Sequence, residues 1–248
     1  MDRSPARTGA RRTPAGAETD NLDSLAGRLI TILDPASPVS EAYRLLRTNL
    51  LYALVDNPPK IIVLTSPGPG EGKSTTCANL GVVLAQAGKD VLILDCDFRK
   101  PVMHKFFGLR NLRGVVDVVV EAHSLQEVLQ EPVQKLKVVT VGPIPPNPTE
   151  ILGSQRFSQF LAAVRQRFDY VLVDVPPVEL VSDPAILAAQ GDGVLLVVDA
   201  QSTRKRSVQK AMRGLEAVGA NVLGTVMNNL RPTKDGYYSY GYGGYTSD

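Results

Sequence analysis

The chain has 248 residues, 44% of them apolar, with 27 Lys plus Arg against 25 Asp plus Glu; it can hold one large α/β core, and its charge balance carries no demand for nucleic acid or an acidic lipid surface. Cys77 and Cys96 lack metal or CxxC spacing, and His104 and His123 lack companions, which leaves no zinc site and suits a reducing cytosol. No apolar run approaches the roughly 18 residues of a membrane span and the first residues have no signal-peptide core, so a soluble cytoplasmic protein is expected.

Residues 1 to 21, MDRSPARTGARRTPAGAETDN, have almost no large apolar side chain and read as a disordered basic arm. Arg3, Arg7, Arg11 and Arg12 solubilise it, with contact to anionic lipid or an acidic partner as the alternative. The folded domain is expected over 22–230. Its first helix spans about 37–55, with Ser37 as N-cap, Pro38 at the first helical position and Tyr43, Leu46, Leu50 and Leu54 on the apolar side. Glu41, Arg44 and Arg47 recur there every third residue and share one arc. On their own they read as an internal Glu41–Arg44 pair and a solvated Arg47.

A β-branched strand, Ile61 to Thr65, then runs into SPGPGEGKST and a helix opening at Gly72. Strand, Gly-rich turn and helix N-terminus gather backbone N–H groups around one small volume, as a P-loop does for a polyphosphate. Lys73 reaches phosphate oxygens and the Ser74 hydroxyl is placed for magnesium. Pro67 stands where the usual pattern has its first glycine. Gly88 stops the helix, and VLILDCD follows as a strand buried on both faces. Residues 101 to 135 read as short helices around Gly108 and Gly114. LKVVTVG is the third strand, and PIPPNPTEIL after it a proline-stiffened fixed loop. Helix 154–167, strand DYVLVDVPP, helix 183–189, strand GVLLVVDA, helix 203–218 and strand NVLGTVMNN complete six strands. Alternation of this kind predicts an α/β fold of the P-loop NTPase type, a doubly wound, mostly parallel sheet with helices on both faces and ligands at the carboxyl ends of its strands.

Three carboxylates fall at those ends. Asp174 closes YVLV as a Walker B aspartate would, and Asp95 closes VLIL likewise. Asp97 points from the same face as Asp95 if the chain stays extended. Arg99 beside them either neutralises phosphate or balances the acids. Asn228 and Asn229, after the last strand, are candidates for contact with adenine. From residue 231 the chain reads RPTKDGYYSYGYGGYTSD, a flexible tail carrying Tyr237, Tyr238, Tyr240, Tyr242 and Tyr245.

The combination LILDCDFRKP, LVDVPP, GPGEGKST and a Tyr-rich end resembles the bacterial tyrosine kinases of capsule and exopolysaccharide assembly, the BY-kinases, over about residues 37–248. The resemblance implies an ATP- and Mg²⁺-dependent tyrosine autokinase. Catalysis would fall to Lys73, Asp95, Asp97 and Asp174, and ATP binding to Gly68, Gly70, Glu71, Gly72, Lys73, Ser74, Thr75 and Arg99. Magnesium would be held by Ser74, Asp95 and Asp174. The five tail tyrosines would be phosphoacceptors, and Glu41, Arg44 and Arg47, matching the ExxRxxR signature, an interface of a ring-shaped homo-oligomer. It further implies a transmembrane polysaccharide co-polymerase-type activator that brings the kinase to the inner face of the plasma membrane, and a tyrosine phosphatase that reverses the modification. The alternatives are a ParA/MinD-like positioning ATPase, whose signature lysine is replaced here by Gly68, and a nucleotide-gated assembly protein with an adhesive tail.

Overall fold

The computed structural model describes residues 26–52, 58–120 and 123–231; the basic arm, Leu54 and the tail tyrosines lie outside the described residues. A short helix α1 (Ile30–Leu33) precedes α2 (Pro38–Tyr52), then come β1 (Ile61–Thr65), α3 (Lys73–Gln86) and β2 (Val91–Asp95). Three short helices follow, α4 (Met103–Phe106), α5 (Val115–Val120) and α6 (Leu125–Val128), and then the hairpin β3 (Gln130–Val133) and β4 (Leu136–Val139). The remainder is α7 (Pro148–Leu152), α8 (Gln155–Arg167), β5 (Tyr170–Asp174), α9 (Asp183–Gln190), β6 (Gly193–Asp199), α10 (Lys205–Glu216) and β7 (Val222–Asn228). Among the described residues no helix is long and apolar enough to cross a membrane.

The strands form one sheet in the order β3-β4-β2-β5-β1-β6-β7, parallel except for β3, which runs against β4. Strand side chains alternate between faces, so each strand feeds two cores. Ile61, Val63, Leu92, Leu94, Val171 and Val173 meet Val115, Phe157, Leu161, Leu187 and Leu215 from α5, α8, α9 and α10. Ile62, Leu64, Val91, Ile93 and Leu172 meet Leu50 of α2 and Leu80, Val83 and Leu84 of α3 on the other face. Coverage on both sides explains why these strands read as unbroken apolar runs.

Three local expectations are corrected. The chain over 101–135 is not helical throughout, because Gln130–Val133 pairs with β4 as an edge strand. Pro132 conceals that strand in the sequence, yet at an edge the missing N–H costs no ladder bond. PIPPNPTEIL is not loop to its end: α7 begins with Asn147 as N-cap and Pro148 in the first turn, a start signal that the preceding prolines obscure. Strand two stops at Asp95 rather than Asp97. The helix start at Ser37 does appear, with the Ser40 N–H donating to Ser37 Oγ at 3.2 Å.

The topology decides what meets at the strand ends. β5 lies between β1 and β2, with Asp174 in register with Leu64 on one side and Asp95 on the other. The turn after β1 therefore sits beside both strand-end carboxylates, at the crevice where doubly wound sheets bind ligands.

Candidate nucleotide site

The loop after β1 is shaped by its own residues and clamped from the ends of β6 and β7. Gly70 and Gly72 take positive φ of 81° and 91°, a region that favours glycine. A Cβ on Gly70 would meet nothing within 4 Å, whereas one on Gly72 would lie 2.1 Å from Asn228 Nδ2. The turn is thus open on the Gly70 side and closed on the β7 side. Ser66 Oγ donates to the Gly68 carbonyl at 2.7 Å, and α3 starts immediately after Gly72, aiming its first N–H groups at the open side.

Glu71 holds that shape. Its buried carboxylate accepts the Gly68 N–H at 2.7 Å through Oε1. Through Oε2 it accepts the Asp199 N–H at 3.1 Å and Thr203 Oγ1 at 2.8 Å, while its own carbonyl accepts Asn228 Nδ2 at 3.0 Å. The side chain ties the loop to the end of β6 and to Thr203 just after it, and the backbone carbonyl ties it to the end of β7; Glu71, expected to contact nucleotide, also shapes the loop that would do so. The side-chain amides of Asn228 and Asn229, the adenine candidates, are held too, by Glu71 and by Asp199 Oδ2 at 2.7 Å.

The charged centre forms around Lys73. Its Nζ lies 3.0 Å from Ser74 Oγ, 3.1 Å from Asp97 Oδ2 and 3.2 Å from Asp174 Oδ1, and Ser74 Oγ donates to Asp174 Oδ2 at 2.6 Å. Burial by itself would lower the Lys73 pKa, but the charges of Asp174 and then Asp97 outweigh it and the ammonium is held more firmly than usual. Burial raises Asp174 against the pull of Lys73 and Ser74. Asp97 reaches Lys73 although the chain has left the strand, because its turn is pinned at Asp95.

Asp95 does the pinning. Its Oδ1 accepts the Asp97 N–H at 3.2 Å, and its Oδ2 the Val102 and Met103 N–H groups at 3.1 and 3.0 Å. Burial first, and the Asp174 charge second, push it up to about 8. Asp95, expected to serve metal and catalysis, thus also ties down the 96–102 loop through these backbone N–H groups.

Arg99 is turned to Asp183, its Nε 3.0 Å from Oδ2, while Thr149 Oγ1 donates to Asp183 Oδ1 at 2.6 Å. Asp183 is fully buried and Arg99 about half exposed, so α7, α9 and the loop after β2 are tied at one point. Thr75 sits in the first turn of α3, its carbonyl accepting Asn79 Nδ2 at 2.9 Å. On α2, Arg44 pairs with Glu41 at 2.7 Å within the helix, and Arg47 Nη1 donates to the Val83 carbonyl of α3 at 3.2 Å. The phosphoacceptor candidates lie outside the described residues. Sequence reasoning passed over Asp199, although it closes an apolar strand just as Asp95 and Asp174 do; Asp183 and Thr203 carried no such signal.

Among the described residues no three His, Cys, Asp or Glu side chains converge on a metal. Magnesium, however, takes only one or two protein oxygens and keeps its waters, and the adjoining Ser74 and Asp174 oxygens fit that need. The Gly70 side, open and rimmed by N–H groups, fits a phosphate chain.

A family model described as ParA, NUBPL iron-transfer P-loop NTPase, matches residues 57–234. The chain is 41% identical over 213 residues to tyrosine-protein kinase YwqD of Bacillus subtilis (strain 168), covering 86% of this chain and 90% of that one. The chimerical protein CapA2B2 superposes with a TM-score of 0.79 at 36% identity, over 86% of this chain and 99% of the other. The kinase domain of Escherichia coli tyrosine kinase ETK gives 0.77 at 32% identity, over 86% and 84%.

Proposed function

Because the chain belongs to the bacterial tyrosine-protein kinases, built on the ParA-type P-loop NTPase fold, we propose that it is an autokinase that transfers the γ-phosphoryl group of ATP to its own tail tyrosines, Tyr237, Tyr238, Tyr240, Tyr242 and Tyr245. The observation that carries this reading is the placement of Lys73 between Ser74, Asp97 and Asp174. The transition state of phosphoryl transfer is loose, so positioning and charge neutralisation matter more than a strong base. Lys73 exchanges a carboxylate partner for phosphate oxygens and, with the loop amides and the start of α3, gathers the charge that develops there. That exchange releases Asp97 Oδ2 to accept the proton of an incoming phenol, whose pKa of about 10 keeps it protonated at neutral pH. Magnesium, held by Ser74 and Asp174, would supply further neutralisation at the transferring group. Asp95 and Glu71 keep the two loops in register.

The acceptor belongs to a neighbour in this reading. The 17 residues beyond Arg231 reach at most about 60 Å when extended, enough to cross to an adjacent subunit of a ring. Glu41, Arg44 and Arg47 would contribute to that contact, beside the exposed Leu33, Val39, Leu45 and Tyr52. Five phosphates would add roughly eight to ten negative charges to each tail and drive subunits apart, giving a cycle of assembly, modification and release. The process served is capsular or extracellular polysaccharide synthesis, with a transmembrane co-polymerase-type activator holding the kinase at the inner face of the membrane and a phosphatase resetting it. The test is incubation with ATP and magnesium, with and without the activator's cytoplasmic segment, followed by mass-spectrometric mapping. Phosphotyrosine in the tail that is lost in Lys73→Met is expected; brisk ATP turnover with no phosphotyrosine would instead make water the acceptor, as in a positioning ATPase.

A further inference from the structure

A cavity of about 450 Å³ opens between α5, α6 and α8 and shares no lining residue with the nucleotide site. Val119 and Phe160 form part of its wall and are almost wholly buried; Leu125 and Ala163 extend the apolar surface, and Arg156 and Arg167 stand on the same side of α8. Positions 156, 160, 163 and 167 follow steps of four, three and four, which places them in one stripe along the helix. The two arginines are thus separated by about 16 Å along its axis, at 1.5 Å per residue. Arg156 Nη1 donates to the Val120 carbonyl at 3.3 Å. Among the described residues Arg167 has no hydrogen-bond or ion-pair partner, and neither arginine is paired with a carboxylate.

An apolar trench flanked by two guanidiniums that no carboxylate pairs among the described residues suits a ligand that combines rings with doubly charged anions, since arginine grips phosphate through paired N–H donors while the trench takes the rings. We propose that this groove binds the phosphorylated form of the chain's own tail, from the same or a neighbouring copy, with a phosphotyrosine on each arginine. This rests on the reading of the tail as phosphoacceptor. In an extended chain residues an even number apart share a face; Tyr238 and Tyr242, four apart, stand about 13 Å from each other at roughly 3.3 Å per residue, and the reach of the arginine and phosphotyrosine side chains covers the remaining difference. Gly241, Gly243 and Gly244 lack side chains that would lift the backbone off the trench. Before modification the 232–248 segment carries only Lys234, Asp235 and Asp248 as charged side chains, so phosphorylation switches docking on. The groove then withdraws the product tail from the nucleotide site.

The test uses a fluorescent peptide of residues 232–248 bearing phosphotyrosine at 238 and 242, titrated by anisotropy into the full Lys73→Met chain. Saturable binding is expected, at least tenfold weaker for the unmodified peptide and for the Arg156→Ala/Arg167→Ala pair. Arg167→Gln, which among the described residues has no hydrogen bond to lose, is expected to weaken it several-fold. Equal affinity for both peptides, indifference to the arginine changes, or displacement of the peptide by saturating ADP would overturn the proposal. Mass spectrometry of the wild-type chain after incubation with ATP reports separately on the tail: absence of phosphotyrosine there removes the acceptor reading, whereas the peptide titration decides the groove.

Discussion

Replacing Glu71 by alanine separates a residue that shapes the loop from one that touches the ligand. The change removes three hydrogen bonds to a carboxylate, from the Gly68 N–H, the Asp199 N–H and Thr203 Oγ1. Bonds to a charged acceptor contribute about 1.5–3 kcal/mol each; relief of the carboxylate's own desolvation offsets part of the sum, leaving a loss of about 3–5 kcal/mol. In a chain of this size each kcal/mol lowers the melting temperature by about 2–4 °C, so a fall of roughly 10 °C is expected in thermal denaturation followed by circular dichroism. Thr203→Ala removes only the hydroxyl and costs about 1 kcal/mol. A fluorescent-nucleotide titration below both transitions should show Glu71→Ala weakened on the order of tenfold, an indirect loss through the unpinned Gly68 turn. A Glu71→Ala chain that melts within about 2 °C of the parent yet has lost nucleotide affinity would refute the argument and make the carboxylate a direct ligand.

Further consequences concern the buried acid, the tightest glycine and the thiols. Asp95 ordinarily titrates near 3.8 and is pushed up to about 8; the folded chain keeps a proton that the unfolded chain releases, so this group's contribution to stability falls as pH rises from about 4 to about 8. Asp95→Asn lacks that dependence, so its melting temperature relative to the parent should climb across the same window; a constant difference would contradict the assignment. Gly114→Ala would place a Cβ 1.9 Å from the Thr140 carbonyl oxygen and 2.5 Å from the Gly142 nitrogen, both backbone, and should cost about 3 kcal/mol or more, read as lost soluble yield or a much lower melting point. Cys77 and Cys96 are fully buried with thiols pushed up by that burial, so a thiol reagent should label neither until denaturant is added. Rapid labelling of Cys77 in the native chain would contradict the close cover over α3, and of Cys96 that over the start of the loop after β2.

Elements whose signal is carried by neighbouring residues are legible in the amino-acid sequence. The apolar run 61–65, the glycines at 70 and 72, the Ser37-Pro38 helix start and the carboxylates that close β2 and β5 are such cases, because backbone preference, capping and strand burial act within a few positions. Legibility fails where a residue's meaning depends on something distant. Gln130–Val133 is a strand because β4 offers it an edge, and its Pro132 argues locally against that. Glu71 reads as part of the phosphate cradle, yet besides the nearby Gly68 N–H its partners lie over 120 positions away, at Asp199 at the end of β6 and at Thr203 just after it. Asp95 and Asp174 look alike in sequence, each ending an apolar run. They differ because the loop after β2 folds back to enclose Asp95 in N–H groups, whereas Asp174 faces Lys73 and Ser74.

Residue by residue, the chain specifies an α/β P-loop domain and nominates its lysine, serine and acids, since hydrogen-bond closure, glycine freedom and burial period are short-range properties. Which of those groups stand side by side is decided only by the insertion of β5 between β1 and β2. Strand order depends on packing two cores at once, and no local stretch of residues encodes it.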